Sequence, residues 1–223
     1  MLRSDIMNPL DQNLQEITAS VVRMLSFVRE SCELAKRALI DGDVAAAERC
    51  AENDRQVDTL EASLEQTILT VIARRQPAAS DLRFLGAMHR ALADIERAGD
   101  NAKHIARAGA ELAEKPPIKK YVDTVRIFEI LSLMNERTIK AIAESDANAA
   151  REAHAMDDEI DDLYEQIQRE LLTYMMENPK LIGQATKLLS VARHLERIGD
   201  HLENVNEHTL YWLTGERFAV LNP

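Results

Sequence analysis

The segment Glu96-Arg97-Ala98-Gly99-Asp100 recurs 100 residues later as Glu196-Arg197-Ile198-Gly199-Asp200, with four of the five positions identical. A second match aligns residues 38–60 with residues 141–163, where seven of 23 positions are identical. Self-similarity at a fixed period is the signature of an internal repeat. The sequence therefore predicts that two units of similar structure follow one another along the chain.

Each unit has the sequence pattern of three helices. Ala, Leu, Glu, Arg and Lys supply 105 of the 223 residues, a share typical of long helices. Apolar residues recur at spacings of three and four, and Asp41-Gly42-Asp43, Gln76-Pro77 and Asn178-Pro179 mark turns between helical segments. The last three helices are predicted at residues 119–144, 147–177 and 181–213.

The double proline at 116–117 separates the two units. Short connections between consecutive helices favour antiparallel neighbours. We therefore expect an all-α fold of two tandem, duplicated three-helix bundles, made of six long helices. The first bundle is predicted in residues 1–115 and the second in residues 116–223.

Charge and composition exclude several classes of protein. The chain has 27 Lys and Arg residues against 38 Asp and Glu residues, a formal net charge of −11, which argues against nucleic-acid binding. No run approaches the roughly 20 apolar residues of a membrane-spanning helix. Cys32 and Cys50 are too few and too far apart for a disulfide framework, so we expect buried thiols and a cytoplasmic protein.

Four pairs of acidic residues are spaced i, i+4, which places both carboxylates of a pair on one helix face. The pairs are Asp54/Asp58, Glu96/Asp100, Asp157/Asp161 and Glu196/Asp200. One such pair alone is typical of a solvated acidic surface. All four, however, occupy the same heptad positions, e and b, beside the apolar seam of their helices.

The predicted turns bring these pairs to one level in each bundle. The first two pairs are centred on positions 56 and 98, equally far from Pro77, and the last two on 159 and 198, which flank Asn178-Pro179 equally. Because an α-helix rises a constant 1.5 Å per residue, folding each hairpin places its two pairs side by side. Each bundle should therefore gather four carboxylates on one patch.

Four convergent carboxylates repel one another, and a bound cation relieves the repulsion. The sequence thus predicts two metal sites, with ligands Asp54, Asp58, Glu96, Asp100, Asp157, Asp161, Glu196 and Asp200. Oxygen ligands suit magnesium or manganese, and bridging carboxylates also hold iron or zinc in sites with several ions. Gly99 and Gly199 indicate close helix approach beside these sites, with or without a metal.

The four acidic pairs resemble the paired E(D)-x-x-x-D motifs of the PhoU family. The Gly42-Asp43 turn before an Ala-rich helix and the duplicated bundle also resemble this family, although Ser145 replaces the glycine before Asp146. The resemblance implies two three-helix bundles with surface multinuclear metal sites, often of iron or zinc. It also implies a non-enzymatic, negative regulator of the phosphate regulon. Such a regulator acts between the ATPase subunit of the phosphate ABC transporter and the phosphate-sensing histidine kinase, and we expect a homodimer.

Two other interpretations remain open at this stage. A ferritin-like di-metal carboxylate oxidase is also helical and acidic, but it uses Glu-x-x-His pairs, and none of the six histidines has Glu three residues before it. A helical adaptor without metal is the other alternative. His194, His201 and His208 form one stripe on the last helix, for which we expect a polar surface, although His201 could add a metal ligand.

Overall fold

The computed structural model describes residues 8–216, so residues 1–7 and 217–223 of the two predicted units lie outside the described residues. Within residues 8–216 every regular element is a helix. The α-helices are α1 (Pro9–Ile40), α2 (Val44–Arg75), α3 (Ala79–Leu112), α4 (Val122–Glu144), α5 (Ala147–His154), α6 (Asp157–Glu177) and α7 (Ile182–Thr214). The predicted all-α class of two repeated helical bundles is confirmed.

The turns that begin the second helical segment of each repeat have the same conformation. The Asp43 side chain accepts a hydrogen bond from the amide of Ala46 at the start of α2, and Asp146 does the same for Ala149 at the start of α5. Gly42 has φ +68° and Ser145 has φ +55°, so both lie in the left-handed region. Ser145 thus adopts the backbone conformation of the glycine that it replaces.

The predicted helix over 147–177 is wrong in one respect, because it is interrupted at residues 155–156. The amide of Met156 donates to the carbonyl of Ala153, which tightens the chain there, and α6 begins at Asp157. Three acidic residues occupy the first turn of α6, where a helix N-terminus stabilises negative charge. Neither Pro nor Gly marks this interruption in the sequence.

The two bundles pack together through α3 and α7, which run antiparallel. Side chains along α3 contact residues progressively earlier on α7, as in the pairs Asp94–His201, Asn101–His194 and Glu111–Lys187. Helix α1 also packs on α4. A single cluster of buried apolar side chains extends through both bundles, with Ile95 and Ile198 fully buried within it.

The histidine stripe of α7 is not a polar surface, contrary to the prediction. His201 and His208 both contact Asp94 of α3 and are largely covered, with 17% and 13% of their side chains exposed. Burial opposes ionisation of Asp94, but hydrogen bonds and charge from the two histidines outweigh it and lower the pKa of Asp94. Hydrophobic spacing could not reveal this contact, because the opposing α3 surface is polar at Asp94.

Two further expectations concern the class of protein. Cys32 and Cys50 are both buried and free, as predicted, and burial raises the pKa of the Cys50 thiol to about 11. Among the helices of residues 8–216, none combines the length and apolar character needed to cross a membrane.

Candidate metal centres

The eight predicted ligands form two groups, on α2 and α3 and on α6 and α7, and matching positions have matching burial. Asp54 and Asp157 are both buried, with 6% of each residue exposed. Asp58 and Asp161 are exposed, and the four ligands contributed by α3 and α7 are intermediate. We call residues 54, 58, 96 and 100 the first cluster and residues 157, 161, 196 and 200 the second cluster.

Three carboxylates of the second cluster converge closely. Asp157, Asp161 and Asp200 each have a ligand atom within 4.8 Å of the other two. Among residues 8–216, no other group of three potential ligands meets this distance. Burial raises the pKa of Glu196, and the negative charges of nearby Asp200 and Asp161 raise it further. The second cluster therefore brings together acidic side chains from both α6 and α7.

Asp157 is the most unusual member of the second cluster. Its Oδ1 atom is buried and has no hydrogen-bond partner among the described residues. Burial, followed by repulsion from Glu203 and Asp161, raises the pKa of Asp157 to about 8. A buried carboxylate oxygen without a partner is costly unless it is protonated or bound to a cation.

Gly199 provides the space for this carboxylate. A Cβ atom at position 199 would lie 2.3 Å from Asp157 Oδ1 and 3.1 Å from Ile160 Cδ1. The expected close approach of helices at this glycine is thus observed, and it accommodates the side chain of a predicted ligand. The unpartnered oxygen and the all-oxygen donor set of the second cluster fit a divalent cation.

Two residues beside the second cluster were missed by sequence reasoning. Glu203 lies one helical turn after Asp200 and adds a further carboxylate, whose charge acts on Asp157. His154, at the end of α5, has its Nδ1 atom 3.3 Å from Glu203 Oε1. The spacing Asp200-x-x-Glu203 was a signal in the sequence, because residues three apart share a helix face.

The first cluster differs because it contains a lysine. Lys103 Nζ lies 2.6 Å from Asp54 Oδ2 and 2.7 Å from Asp100 Oδ1, so its ammonium joins α2 to α3. His104 Nε2 lies 3.3 Å from the other oxygen of Asp100. The first cluster therefore does not fit a metal as the second does, since a side chain already supplies the cation. Sequence reasoning missed Lys103, although it follows Asp100 by three residues.

The pKa values in the first cluster reflect this lysine. Burial opposes ionisation of Asp100, but Lys103 and then His104 outweigh it and lower the pKa of Asp100. In contrast, burial and repulsion from Glu61 raise the pKa of Glu96. Glu61, on α2, is thus an additional acidic neighbour that the four predicted pairs did not include.

Gly99 does not provide space for a carboxylate. A Cβ atom at position 99 would lie 3.7 Å from Val28 Cγ2 and 3.9 Å from either methyl group of Val57, which are ordinary van der Waals distances. The two equivalent glycines therefore have different surroundings. Only Gly199 contacts a predicted metal ligand at a distance that excludes a side chain.

The fold and the acidic clusters together define an all-α protein of two repeated three-helix bundles, each with a carboxylate cluster between its second and third helical segments. Comparison with known proteins identifies the family. A model of the PhoU domain matches the chain twice, over residues 21–109 and 124–209. The chain belongs to the PhoU family.

Relatives similar over most of their length support this assignment. The chain is 42% identical to the phosphate-specific transport system accessory protein PhoU homolog of Deinococcus radiodurans, over 93% of this chain and 98% of that protein. It is 31% identical to phosphate-specific transport system accessory protein PhoU of Escherichia coli, over 97% of this chain and 90% of that protein. Both relatives are named as accessory proteins of the phosphate-specific transport system.

A solved structure has the same fold. The crystal structure of PhoU from Pseudomonas aeruginosa superposes with a TM-score of 0.89 at 33% sequence identity, and the match covers 92% of this chain and 99% of that chain. The similarity therefore extends across both bundles and the packing between them.

Proposed function

We propose that this chain is a negative regulator of the phosphate regulon and of phosphate uptake. It acts by protein contact, without catalytic turnover, between the ATPase subunit of the phosphate ABC transporter and the phosphate-sensing histidine kinase. The observation that carries this proposal is the match of both bundles, over nearly the whole described chain, to a family whose members are named as accessory proteins of phosphate transport.

The charge of the chain favours this mode of action. A net charge of −11 repels acidic surfaces and steers association towards partners with basic patches. Such a regulator works in the cytoplasm, peripheral to the membrane-embedded transporter, and we propose a homodimer as its assembly.

The metal part of the proposal concerns the second cluster. Asp157, Asp161, Glu196 and Asp200 would hold a divalent or trivalent ion such as manganese, magnesium, iron or zinc. When bound, the ion would supply positive charge and coordinate bonds that join α6 to α7. The second cluster supports this role because a buried oxygen of Asp157 lacks a partner and Gly199 leaves room beside it.

A deletion strain tests the regulatory role. Removing the gene should activate phosphate-starvation genes in phosphate-rich medium, and a plasmid copy should restore repression. Normal repression in the deletion strain would reject the role. A copy carrying Asp157→Asn and Asp161→Asn separates regulation from metal binding. If this copy also restores repression, the protein works as a metal-free adaptor.

A binding experiment tests the proposed partners directly. Purified protein should bind the immobilised ATPase subunit and the kinase in separate assays, and binding should weaken as salt rises because charge contributes to association. A matched control is an unrelated acidic helical protein of similar size. Equal signals for the control and for this chain would contradict specific contact.

A further inference from the structure

One position reverses its charge between the two clusters. In the alignment of the repeats with an offset of 100, Lys103 corresponds to Glu203, each three residues after the final aspartate of its motif. Lys103 places its ammonium between Asp54 and Asp100, which belong to different helices. Glu203 instead adds negative charge beside Asp157, the equivalent of Asp54.

We propose that the two clusters use different cations. Lys103 is the permanent cation of the first cluster and closes it to metal ions, and only the second cluster binds a metal. This inference rests on the metal part of the proposed function, and it differs from the sequence prediction of two equivalent metal sites.

The contacts of the first cluster carry the first half of the inference. Both oxygens of Asp100 are in contact with cationic or basic groups, Oδ1 with Lys103 and Oδ2 with His104. The buried Asp54 directs Oδ2 at the same ammonium, at 2.6 Å. A metal ion would have to displace Lys103 Nζ from these oxygens and would then be repelled by the displaced charge.

The contacts of the second cluster carry the other half. Asp157 is buried, with only 6% of the residue exposed, and its Oδ1 atom has no hydrogen-bond partner among residues 8–216. Asp161 and Asp200 each have a carboxylate oxygen within 4.8 Å of an Asp157 carboxylate oxygen. No lysine or arginine of the described chain forms an ion pair with these three carboxylates. A diffusible cation is therefore the counter-charge that these three carboxylates lack.

Exchanging the two charges tests the inference. Chelator-treated full-length protein is dialysed against Mn²⁺, and bound manganese is measured by elemental analysis. Lys103→Glu should gain manganese that wild type does not bind. Glu203→Lys should weaken manganese binding by at least about tenfold, a factor that corresponds to 1.4 kcal/mol. In the wild type, Asp157→Asn should remove the bound manganese, whereas Asp54→Asn should not.

Controls keep the test decisive if a variant folds poorly. Lys103→Gln removes the ammonium without adding a ligand, and its helical circular dichroism and cooperative unfolding are compared with those of wild type. Lys187→Glu makes the same change of charge as Lys103→Glu, but at an exposed lysine that pairs with Glu111 on the surface. This control variant should leave the manganese content unchanged.

The outcomes separate this inference from the proposed function. If folded Lys103→Glu and Lys103→Gln both bind no additional manganese, or if Asp54→Asn removes manganese from wild type, the role of Lys103 is wrong. If wild type binds no manganese, and no magnesium, iron or zinc in the same assay, the metal part of the proposed function is wrong. A gain of manganese by Lys103→Glu would still support the role of Lys103 in that case.

Discussion

The two carboxylate clusters have the same positions, spacing and burial but different electrostatics. In the first cluster Lys103 bridges Asp54 and Asp100, whereas in the second cluster Glu203 increases the repulsion on Asp157. The supporting helices differ as well, since Asp54 lies within the continuous helix α2 and Asp157 is the first residue of α6. A duplicated acidic motif thus specifies where carboxylates gather, and one neighbouring residue decides which cation they require.

The largest expected difference between the clusters is in their pH dependence. Folding raises the pKa of the Asp157 carboxyl group from 3.8 to about 8. As pH rises, this carboxyl group therefore loses its proton at a lower pH in the unfolded chain than in the folded protein. The stability of metal-free protein should therefore fall between about pH 4 and pH 8, by up to roughly 5 kcal/mol. Asp157→Asn should flatten this dependence in urea unfolding measured at several pH values.

Asp100 of the first cluster should respond to pH in the direction opposite to that of Asp157. The pKa of Asp100 is lowered, so its stabilising contribution is present above the ordinary pKa of aspartate and is lost as pH falls through the folded-state value. Asp100→Asn should thus remove part of the acid sensitivity and leave the decline towards pH 8 in place. The same pH profile for both variants would contradict the difference between the clusters.

Removing Lys103 should give the second largest effect. Lys103→Met leaves the buried Asp54 without its partner. Because the Lys103 side chain is 34% exposed, the loss should lie at the lower end of the range for buried pairs, at about 3 kcal/mol of unfolding free energy. Lys187→Met breaks an exposed pair with Glu111, which water and salt screen, and should change the unfolding free energy far less. Urea unfolding of both variants at pH 7 checks this order, and equal losses would show that Lys103 is an ordinary surface lysine.

Manganese should stabilise the protein through the second cluster. At a hundredfold excess over Kd, a cation that binds only the folded state adds about 2.7 kcal/mol, which raises the melting temperature by several degrees. Asp157→Asn combined with Asp161→Asn should abolish this rise, and Asp54→Asn combined with Asp58→Asn should preserve it. Thermal melts with Mn²⁺ and with monovalent salt of equal ionic strength measure it. Equal loss of the response in both variants would indicate two metal sites.

The smallest effects are expected at the two glycines, and they have opposite signs. Gly199→Ala places a methyl group against Asp157. The cost of this overpacking should exceed the gain in helix propensity, so the variant should be destabilised by about 1–2 kcal/mol. Gly99→Ala meets only ordinary contacts and should stabilise the protein by about 0.5–1 kcal/mol. Denaturant midpoints of the two variants provide the comparison, and destabilisation by both would show that the surroundings of the two glycines are equivalent.

Much of the fold could be predicted because its signals are local. Asn8 accepts a hydrogen bond from Leu10 at the start of α1, and Gln76 ends α2 in the left-handed conformation before Pro77. The internal repeat and its turns predicted that the second and third helical segments of each bundle lie side by side. The interruption before Asp157 could not be predicted, because neither Pro nor Gly marks it and acidic residues such as those in the first turn of α6 also occur inside helices.

The positions of the acidic clusters could also be predicted, since constant helical rise places equidistant residues of a hairpin at one level. Their counter-charges could not be, because they depend on side-chain direction. Lys103 and Glu203 were both within one turn of a motif, but spacing alone does not distinguish an ammonium aimed into a cluster from one in solvent. The contact between Asp94 and His201 likewise required the packing of the two bundles.

The contact between α3 and α7 makes the two repeats behave as a covalently tethered dimer. Asp94 and Asn101 correspond to His194 and His201, so the contacts Asp94–His201 and Asn101–His194 are related by an approximate two-fold axis. A tether of this kind holds its partners at a millimolar-range effective concentration, so the shared surface needs little intrinsic affinity. Polar histidine contacts can therefore occupy the centre of this surface, and cutting the linker near residues 116–117 would make its assembly depend on protein concentration.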